Sequence, residues 1–158
     1  MRLTLRDAAL AGVAAGLVAS APELVKVRVT AATPWSSVRT IATVFGFEPG
    51  SRFALRPVAF GGALHLSLSA AYGVMFTVAC ARRRPAQATV ARGTLFGAAI
   101  YAMNFGLVTR HPRFHKLRQH TSAAVEVPAH LLFGAALALI LRRCAHSRAK
   151  AATRARIV

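Results

Sequence analysis

Acidic residues are almost missing from this sequence. Its 158 residues hold four carboxylates against 21 lysines and arginines, which gives a formal net charge of +17 at pH 7. A basic excess of this size often marks a nucleic-acid-binding protein. Here the basic residues lie between long apolar runs, where arginines orient membrane helices and contact anionic headgroups. We therefore expect a lipid bilayer with anionic headgroups as the partner, and no nucleic acid.

The motifs that usually accompany catalysis or metal binding are missing as well. The two cysteines, Cys80 and Cys144, are too few for a disulfide framework and lack the spacing of a zinc site. The sequence has no phosphate-binding glycine loop and no His-Glu-x-x-His motif. Glu126 and His130 are separated by three residues, whereas the di-iron motif of helix bundles has two. We predict that the chain is not an enzyme and that it holds no cofactor and no metal.

What the sequence does contain is long apolar runs. Hydrophobic residues make up 55% of the chain, and the mean hydropathy is +0.46. A helix needs about 20 apolar residues to cross the hydrocarbon core of a bilayer. The predicted fold is an all-α integral membrane four-helix bundle over residues 1–145, followed by a basic cytoplasmic tail over residues 146–158. The four predicted helices cover residues 7–29, 57–80, 88–109 and 122–142.

The first apolar run also has features of a secretory signal peptide. Arginines precede it, and Ala19-Ser20-Ala21 fits a cleavage site. Pro22 would follow the cut and disfavours processing. We therefore expect the first helix to be retained.

The orientation of the helices follows from lysines and arginines near their ends, which are more frequent on the cytoplasmic side. The N-terminus, the 82–92 loop and the C-terminal tail together hold more of them than the two connections on the other side. This bias predicts a bacterial inner-membrane protein with both termini in the cytoplasm. In the connection over residues 30–56, Pro34-Trp35 precedes an amphipathic stretch, which predicts a short interfacial helix.

Two pairs of glycines have a spacing that favours close helix packing. The first predicted helix contains Gly12 and Gly16, and the third contains Gly93 and Gly97. Inside lipid no hydrophobic force draws helices together, so helix crossings rely on small residues that let the backbones approach. Two interpretations are open: tight crossings within the chain, or a face for a homodimer.

The glycine pairs belong to a weak internal repeat. A polar residue follows each pair by seven residues, and the next predicted helix in each half contains a histidine with a cysteine further along. Two helices per half give both halves the same orientation in the membrane. The repeat therefore predicts two pseudo-repeated helix pairs, related by an axis along the membrane normal.

Polar residues inside the predicted helices are the candidates for a site, because ionisable groups in a bilayer are costly. Helix direction and a rise of about 1.5 Å per residue place five of them at one depth in the outer half of the bundle. They are Glu23, His65, Asn104, Glu126 and His130. Three interpretations are open: a buried hydrogen-bond cluster that fixes the helices, a pocket for a proton, an ion or a small solute, and a haem or metal site on the two histidines.

Four segments of the sequence have the pattern of a known family. They are PWSSVRTIATVFG (34–46), HLSLSAAYGVMF (65–76), GTLFGAAIYAMNFGLVTRHPRF (93–114) and AHLLFGAALALI (129–140). The chain resembles small bacterial four-helix inner-membrane proteins without an established function and, more distantly, the YagU-type inner-membrane proteins. The resemblance implies one polar residue at a set place in each successive helix, here Glu23, His65, Asn104 and His130.

These features together predict a multi-pass inner-membrane protein with a structural or accessory role, acting as a homo-oligomer or within a larger membrane assembly. One alternative is a small oligomeric transporter or a protein that handles protons or ions. Another is a haem- or metal-binding redox module that uses His65 and His130.

Overall fold

The computed structural model of the chain describes residues 3–23, 25, 33–50, 52–81 and 89–154. Within these ranges the secondary structure is helical and contains no strand, which confirms the all-α prediction for the described part of the chain. The α-helices are α1 (Leu5–Val18), α2 (Ser36–Ala42), α3 (Leu55–Ala81), α4 (Val90–Gly106), α5 (His115–Gln119) and α6 (Ala123–Arg154). Short 3-10 helices cover Thr43–Phe45, Val108–Arg110 and Pro112–Phe114. Parts of several predictions lie outside the described residues: positions 24 and 26–29 of the first helix, positions 30–32 and 51 of the 30–56 connection, position 88 of the third helix, positions 82–88 of the 82–92 loop and positions 155–158 of the tail.

Two of the described helices have the length and the apolar composition of a membrane span. They are α3, over Leu55–Cys80, and α6, over Ala123–Thr153. Helix α1 has 14 residues and α4 has 17, which is fewer than the roughly 20 residues needed to cross the hydrocarbon core. By length and composition, two of the four predicted membrane spans are candidate spans among the described residues.

Helix α1 begins at a capping box and ends before a proline. The Thr4 hydroxyl accepts a hydrogen bond from the Asp7 backbone N–H, while the Asp7 carboxylate accepts one from the Thr4 N–H at 2.8 Å. The helix ends at Val18, because Pro22 has no N–H to donate to the Val18 carbonyl four residues earlier and its ring crowds that carbonyl. The helix predicted over residues 7–29 is therefore interrupted in its middle.

Helix α6 is longer than the sequence indicated. The fourth predicted helix ended at residue 142, whereas α6 continues to Arg154. Most of the predicted tail over residues 146–158 is therefore helical, because its alanines, lysine and arginines are good helix formers. An ion pair also holds this extension against α1, since Arg148 Nη2 lies 2.6 Å from Asp7 Oδ1.

The four longest helices pack in a ring. Helix α1 contacts α3 and α6, and α6 contacts α4 along much of its length. Helices α3 and α4 complete the ring through side chains, where the Phe76 and Phe96 ring centroids lie 5.0 Å apart. The buried core is rich in alanine, because small side chains allow neighbouring helices to approach closely.

The first glycine pair lies at the crossing of α1 and α3. A β-carbon on Gly12 would overlap the carbonyl oxygen of Ser69 and crowd the backbone of Gly73. A β-carbon on Gly16 would overlap the Ser69 side chain and lie 3.5 Å from the His65 ring. The space at both positions is therefore filled by α3.

The second pair lies at the crossing of α4 and α6. A β-carbon on Gly93 would overlap the carbonyl oxygen of Gly134 and the side chain of Ala138, and one on Gly97 would overlap the carbonyl oxygen of His130. All four glycines of the two pairs thus face a helix of the same chain, which leaves none of them free to form a homodimer face.

The two crossings correspond residue by residue. Counted from the histidine of each second helix, Ser69 takes the place of Gly134, and Gly73 takes the place of Ala138. The glycines of α1 and α4 contact these corresponding positions in the same order. The internal repeat seen in the sequence therefore corresponds to two equivalent close contacts, one between α1 and α3 and one between α4 and α6.

A layer made by α2, α5 and the segments beside them lies at the end of the bundle where α3 begins. Helix α2 packs against α3 and α5, and Lys116 Nζ lies 2.8 Å from Glu48 Oε1 within this layer. The hydrogen bond from Lys116, and next its charge, lower the pKa of Glu48 below its ordinary value. This pair therefore persists at neutral pH and is lost as the pH falls through that lowered pKa.

We predict that Gly97→Ala destabilises the protein by about 1–3 kcal/mol, the usual cost of overpacking, because its methyl group would meet the backbone of α6. Gly106→Ala in the same helix is the matched control, since nothing among the described residues lies within 4 Å of its β-carbon position. The measurement is unfolding in detergent followed by circular dichroism. Equal stability of the two variants would contradict the tight crossing.

Candidate functional site

A chain of hydrogen bonds joins α3, α4 and α6 inside the bundle. The Tyr72 hydroxyl donates to Asn104 Oδ1 at 3.1 Å. Asn104 Nδ2 lies 3.5 Å from His130 Nε2, and His130 Nδ1 lies 2.7 Å from the backbone carbonyl oxygen of Glu126. Three of the five polar residues singled out in the sequence are thus connected, with Tyr72 as a fourth member.

The donors and acceptors of this chain define one tautomer of His130. A backbone carbonyl only accepts hydrogen bonds, so Nδ1 of His130 carries the proton. Nε2 is then an acceptor and receives a hydrogen bond from the Asn104 amide nitrogen, which only donates. The amide oxygen is left to accept from Tyr72. All four groups therefore match in one direction. The Asn104–His130 contact, at 3.5 Å, is longer than a usual hydrogen bond of about 2.7–3.2 Å and is the weakest member of the chain.

Aromatic rings hold the His130 side chain from the α4 side. The ring centroids of Tyr101 and Phe105 lie 5.6 Å and 5.8 Å from that of His130, both edge-on. The His130 side chain is 18% exposed, and the Glu126 carboxylate lies 3.8 Å from its Nδ1. The imidazole is therefore confined between an aromatic wall and the preceding turn of α6.

His65 occupies the corresponding place at the other crossing. Its Nε2 lies 3.3 Å from the carbonyl oxygen of Gly16 in α1, and the Ser69 hydroxyl donates to the His65 carbonyl oxygen at 2.8 Å. The carbonyl acceptor means that Nε2 of His65 carries a proton. His65 therefore binds the α1 backbone where that helix approaches α3.

Glu23 is connected to a different part of the fold. The hydroxyl of Ser36, in α2, donates to Glu23 Oε1 at 3.1 Å. This bond joins the segment after α1 to the layer that lies at the end of the bundle. The five polar residues thus fall into three places. Asn104, Glu126 and His130 belong to the chain on α4 and α6. His65 lies at the neighbouring crossing, and the Glu23 carboxylate is bonded to α2.

The two histidines do not have the arrangement of a haem or metal site. Both ring nitrogens of His130 have hydrogen-bond partners, and Nε2 of His65 points at the α1 backbone. Iron binds an imidazole nitrogen through its lone pair, so coordination by His130, or by Nε2 of His65, would require these hydrogen bonds to break. Within the described part of the chain, no group of three or more His, Cys, Asp or Glu residues could hold a metal ion.

Some residues of this arrangement were not singled out from the sequence. Tyr72 was missed as a member of the chain, although it lies two helical turns from His65 on one face. The partner positions of the glycines were also missed, and their signal was a second small-x3-small pattern, Ser69 with Gly73 in α3 and Gly134 with Ala138 in α6.

Comparison with known proteins gives one match. The family described as "Family of unknown function (DUF6789)" matches residues 4–152, so the chain belongs to that family. No curated protein matches the chain. No solved structure matches it either. The match agrees with the expected resemblance to a family without an established function, and it shows no link to YagU-type or bacterial inner-membrane proteins.

We predict that Tyr72→Phe lowers the free energy of unfolding by roughly 0.6–1.7 kcal/mol, the range of interhelical hydrogen bonds in membranes. Tyr101→Phe is the matched control, because the hydroxyl of Tyr101 makes no hydrogen bond to any residue that the structure describes. Unfolding in detergent measures both. If the two substitutions have the same effect, the bond to Asn104 does not stabilise the bundle.

Proposed function

We propose that this DUF6789 protein is a four-helix integral protein of a bacterial inner membrane, with both termini in the cytoplasm and a structural or accessory role. The proposal extends the two candidate spans, α3 and α6, to include α1 and α4. In this role the interior hydrogen bonds fix the helices to one another. We propose no catalytic activity for the protein.

The observation that carries the proposal is the exposure of large apolar side chains on all four long helices. Leu17 on α1 is 61% exposed and Leu95 on α4 is 70% exposed. Further exposed apolar residues on these helices are Leu10, Phe60, Leu68, Met75, Met103 and Leu139. A belt of this kind is unfavourable in water and favourable in lipid. This apolar belt includes side chains of α1 and α4, the two helices that are too short to qualify as spans by length.

The short helices are lengthened by the segments that follow them. Residues 21–23 are helical again after the turn that ends α1, and α4 is followed closely by the 3-10 helix Val108–Arg110. Both additions lie on the side where α2 and α5 form their layer. Irregular backbone at membrane depth is tolerated where other protein segments cover it, so these additions support spans for α1 and α4.

The distribution of charge supports the orientation. The Asp7 carboxylate, which lies at the end where α1 begins, is paired with Arg148. The basic residues Arg6, Arg142 and Arg143 are exposed at the same end. The other end also exposes Arg52, Arg110 and Arg118, so the orientation rests on the larger total of lysines and arginines on the side of the two termini, to which the positive-inside rule assigns the cytoplasm.

The interior chain of hydrogen bonds supports a structural role over proton transfer. A proton path needs groups that accept a proton on one side and release one on the other. The amide of Asn104 lies between Tyr72 and His130 and has separate donor and acceptor atoms, so it holds its neighbours without passing a proton. We further propose that the protein acts as a homo-oligomer or within a larger membrane assembly.

Reporter fusions test the topology. We expect fusions placed after Cys80 and after Arg148 to report the cytoplasm and a fusion near Glu48 to report the periplasm, because positive residues are retained on the cytoplasmic side. The measurement pairs alkaline phosphatase with a fluorescent protein at each site. A cytoplasmic signal from the Glu48 fusion would remove α1 as a span. A periplasmic signal from the fusion after Arg148 would overturn the orientation and the depths assigned to the polar residues.

A substitution at Glu23 tests the structural role. We expect Glu23→Ala to destabilise the protein by about 1–2 kcal/mol, because it removes the contact of the Glu23 carboxylate with the Ser36 hydroxyl that joins the segment after α1 to α2. The Ser36 hydroxyl keeps the Thr33 carbonyl oxygen as an acceptor. Glu48→Ala is the control, since its carboxylate is exposed and surface ion pairs contribute little. Thermal unfolding in detergent measures both. If Glu23→Ala keeps full stability but fails to complement a deletion strain, a transport role replaces the structural one.

A further inference from the structure

The extension of α6 beyond its apolar part carries a stripe of basic side chains on one face. Arg142, His146 and Lys150 are spaced four residues apart and are exposed, and Arg143 is exposed beside them. Residues four apart lie on the same face of a helix. These four residues define the basic stripe, which begins directly after the buried Leu141.

The opposite face of the extension is fixed to the bundle. Arg148 points away from the basic stripe and pairs with Asp7 at 2.6 Å, which holds the extension against the start of α1. The Asp7 carboxylate also accepts the capping hydrogen bonds of Thr4, so the group that pairs with Arg148 is held in a defined place. The stripe is therefore presented by an anchored helix.

The charges of the stripe have no carboxylate partner among the described residues. The chain has four acidic residues, of which Asp7 is engaged by Arg148, while Glu23, Glu48 and Glu126 lie toward the other end of the bundle, near α2 and the start of α6. Positive charge at one membrane boundary without local carboxylates attracts an anionic partner.

We infer that the basic stripe binds the phosphate groups of anionic phospholipids in the leaflet at this end of the bundle. The inference rests on the proposed insertion in a membrane. The stripe spans about 12 Å along α6, starting where the apolar side chains end, which is the depth of the headgroups. Arginine presents a planar fork that holds phosphate through two hydrogen bonds. The exposed Arg6 of α1 lies at the same end and adds to the charge.

The position of the basic stripe favours a lipid over a nucleic acid as its ligand. Nucleic-acid surfaces extend over many phosphates on a face that solvent can reach. Here the stripe is short and adjoins the apolar belt, so a headgroup whose acyl chains lie along the belt satisfies both surfaces at once.

The experiment measures the thermal stability of the full chain in a neutral detergent during titration with phosphatidylglycerol or phosphatidylcholine. We expect phosphatidylglycerol to stabilise the protein and phosphatidylcholine to have little effect. Replacing Arg142, Arg143 and Lys150 together by glutamine is expected to weaken the apparent affinity for phosphatidylglycerol on the order of 100-fold at low salt, from the contribution of three basic residues at an anionic surface.

The matched control removes the same charge from the other end of the bundle. Replacing Arg52, Arg110 and Arg118, all exposed, by glutamine is expected to leave the phosphatidylglycerol response unchanged. A second variant, Arg142→Lys with Arg143→Lys, keeps the charge and is expected to keep most of the response, which separates the loss of charge from the loss of the native arginines.

Three results would overturn the inference. They are an equal loss of response in both triple variants, an equal response of the unaltered chain to the two lipids, and stronger stabilisation by a short RNA than by phosphatidylglycerol. Failure of the membrane proposal is distinguishable from these results, because the chain would then be recovered from cells in the soluble fraction without detergent.

Discussion

The close approach of two backbones at each of two glycine crossings is the constraint on which the rest of this structure depends. Gly12 lies against the Ser69 carbonyl, and Gly97 lies against the His130 carbonyl. Packing at this distance leaves no room for side chains between the helices, so the polar groups near each crossing must bond to backbone atoms or to one another. The histidines follow this rule, because each binds a carbonyl oxygen, His65 across the crossing and His130 within its own helix.

The fold was largely predictable, because it is encoded in local patterns. Apolar runs mark the helices, and small-x3-small spacing marks where they cross. Helix ends were less predictable. The break after Val18 depends on Pro22, and the continuation of α6 to Arg154 depends on the distant pair of Arg148 with Asp7. A contact between residues at opposite ends of the chain leaves no periodic trace in the sequence.

The candidate site was predictable as a set of residues and less so as a set of bonds. Depth along the helices singled out Asn104 and His130, which the structure joins. Depth alone does not say which way a side chain points around its helix axis. Glu23 was expected to face the other helices, and the structure bonds it to Ser36 in α2, because the turn after α1 changes the direction of the chain. Tyr72 lies two helical turns from His65 on the same face of α3, and its partner Asn104 lies on another helix.

The two halves share their crossings but not their polar groups. Asn104 in the second half stands where Glu23 stands in the first, and Leu137 stands where Tyr72 would be repeated. In the second half an amide therefore bridges α3 to α6 through the interior. In the first half a carboxylate bonds to the layer outside the bundle. Helices α1 and α6 already pack closely, whereas α3 and α4 meet through side chains. The Tyr72–Asn104 bond thus lies at the interface where backbone packing is weakest and where a specific polar contact contributes most to a single arrangement of the helices.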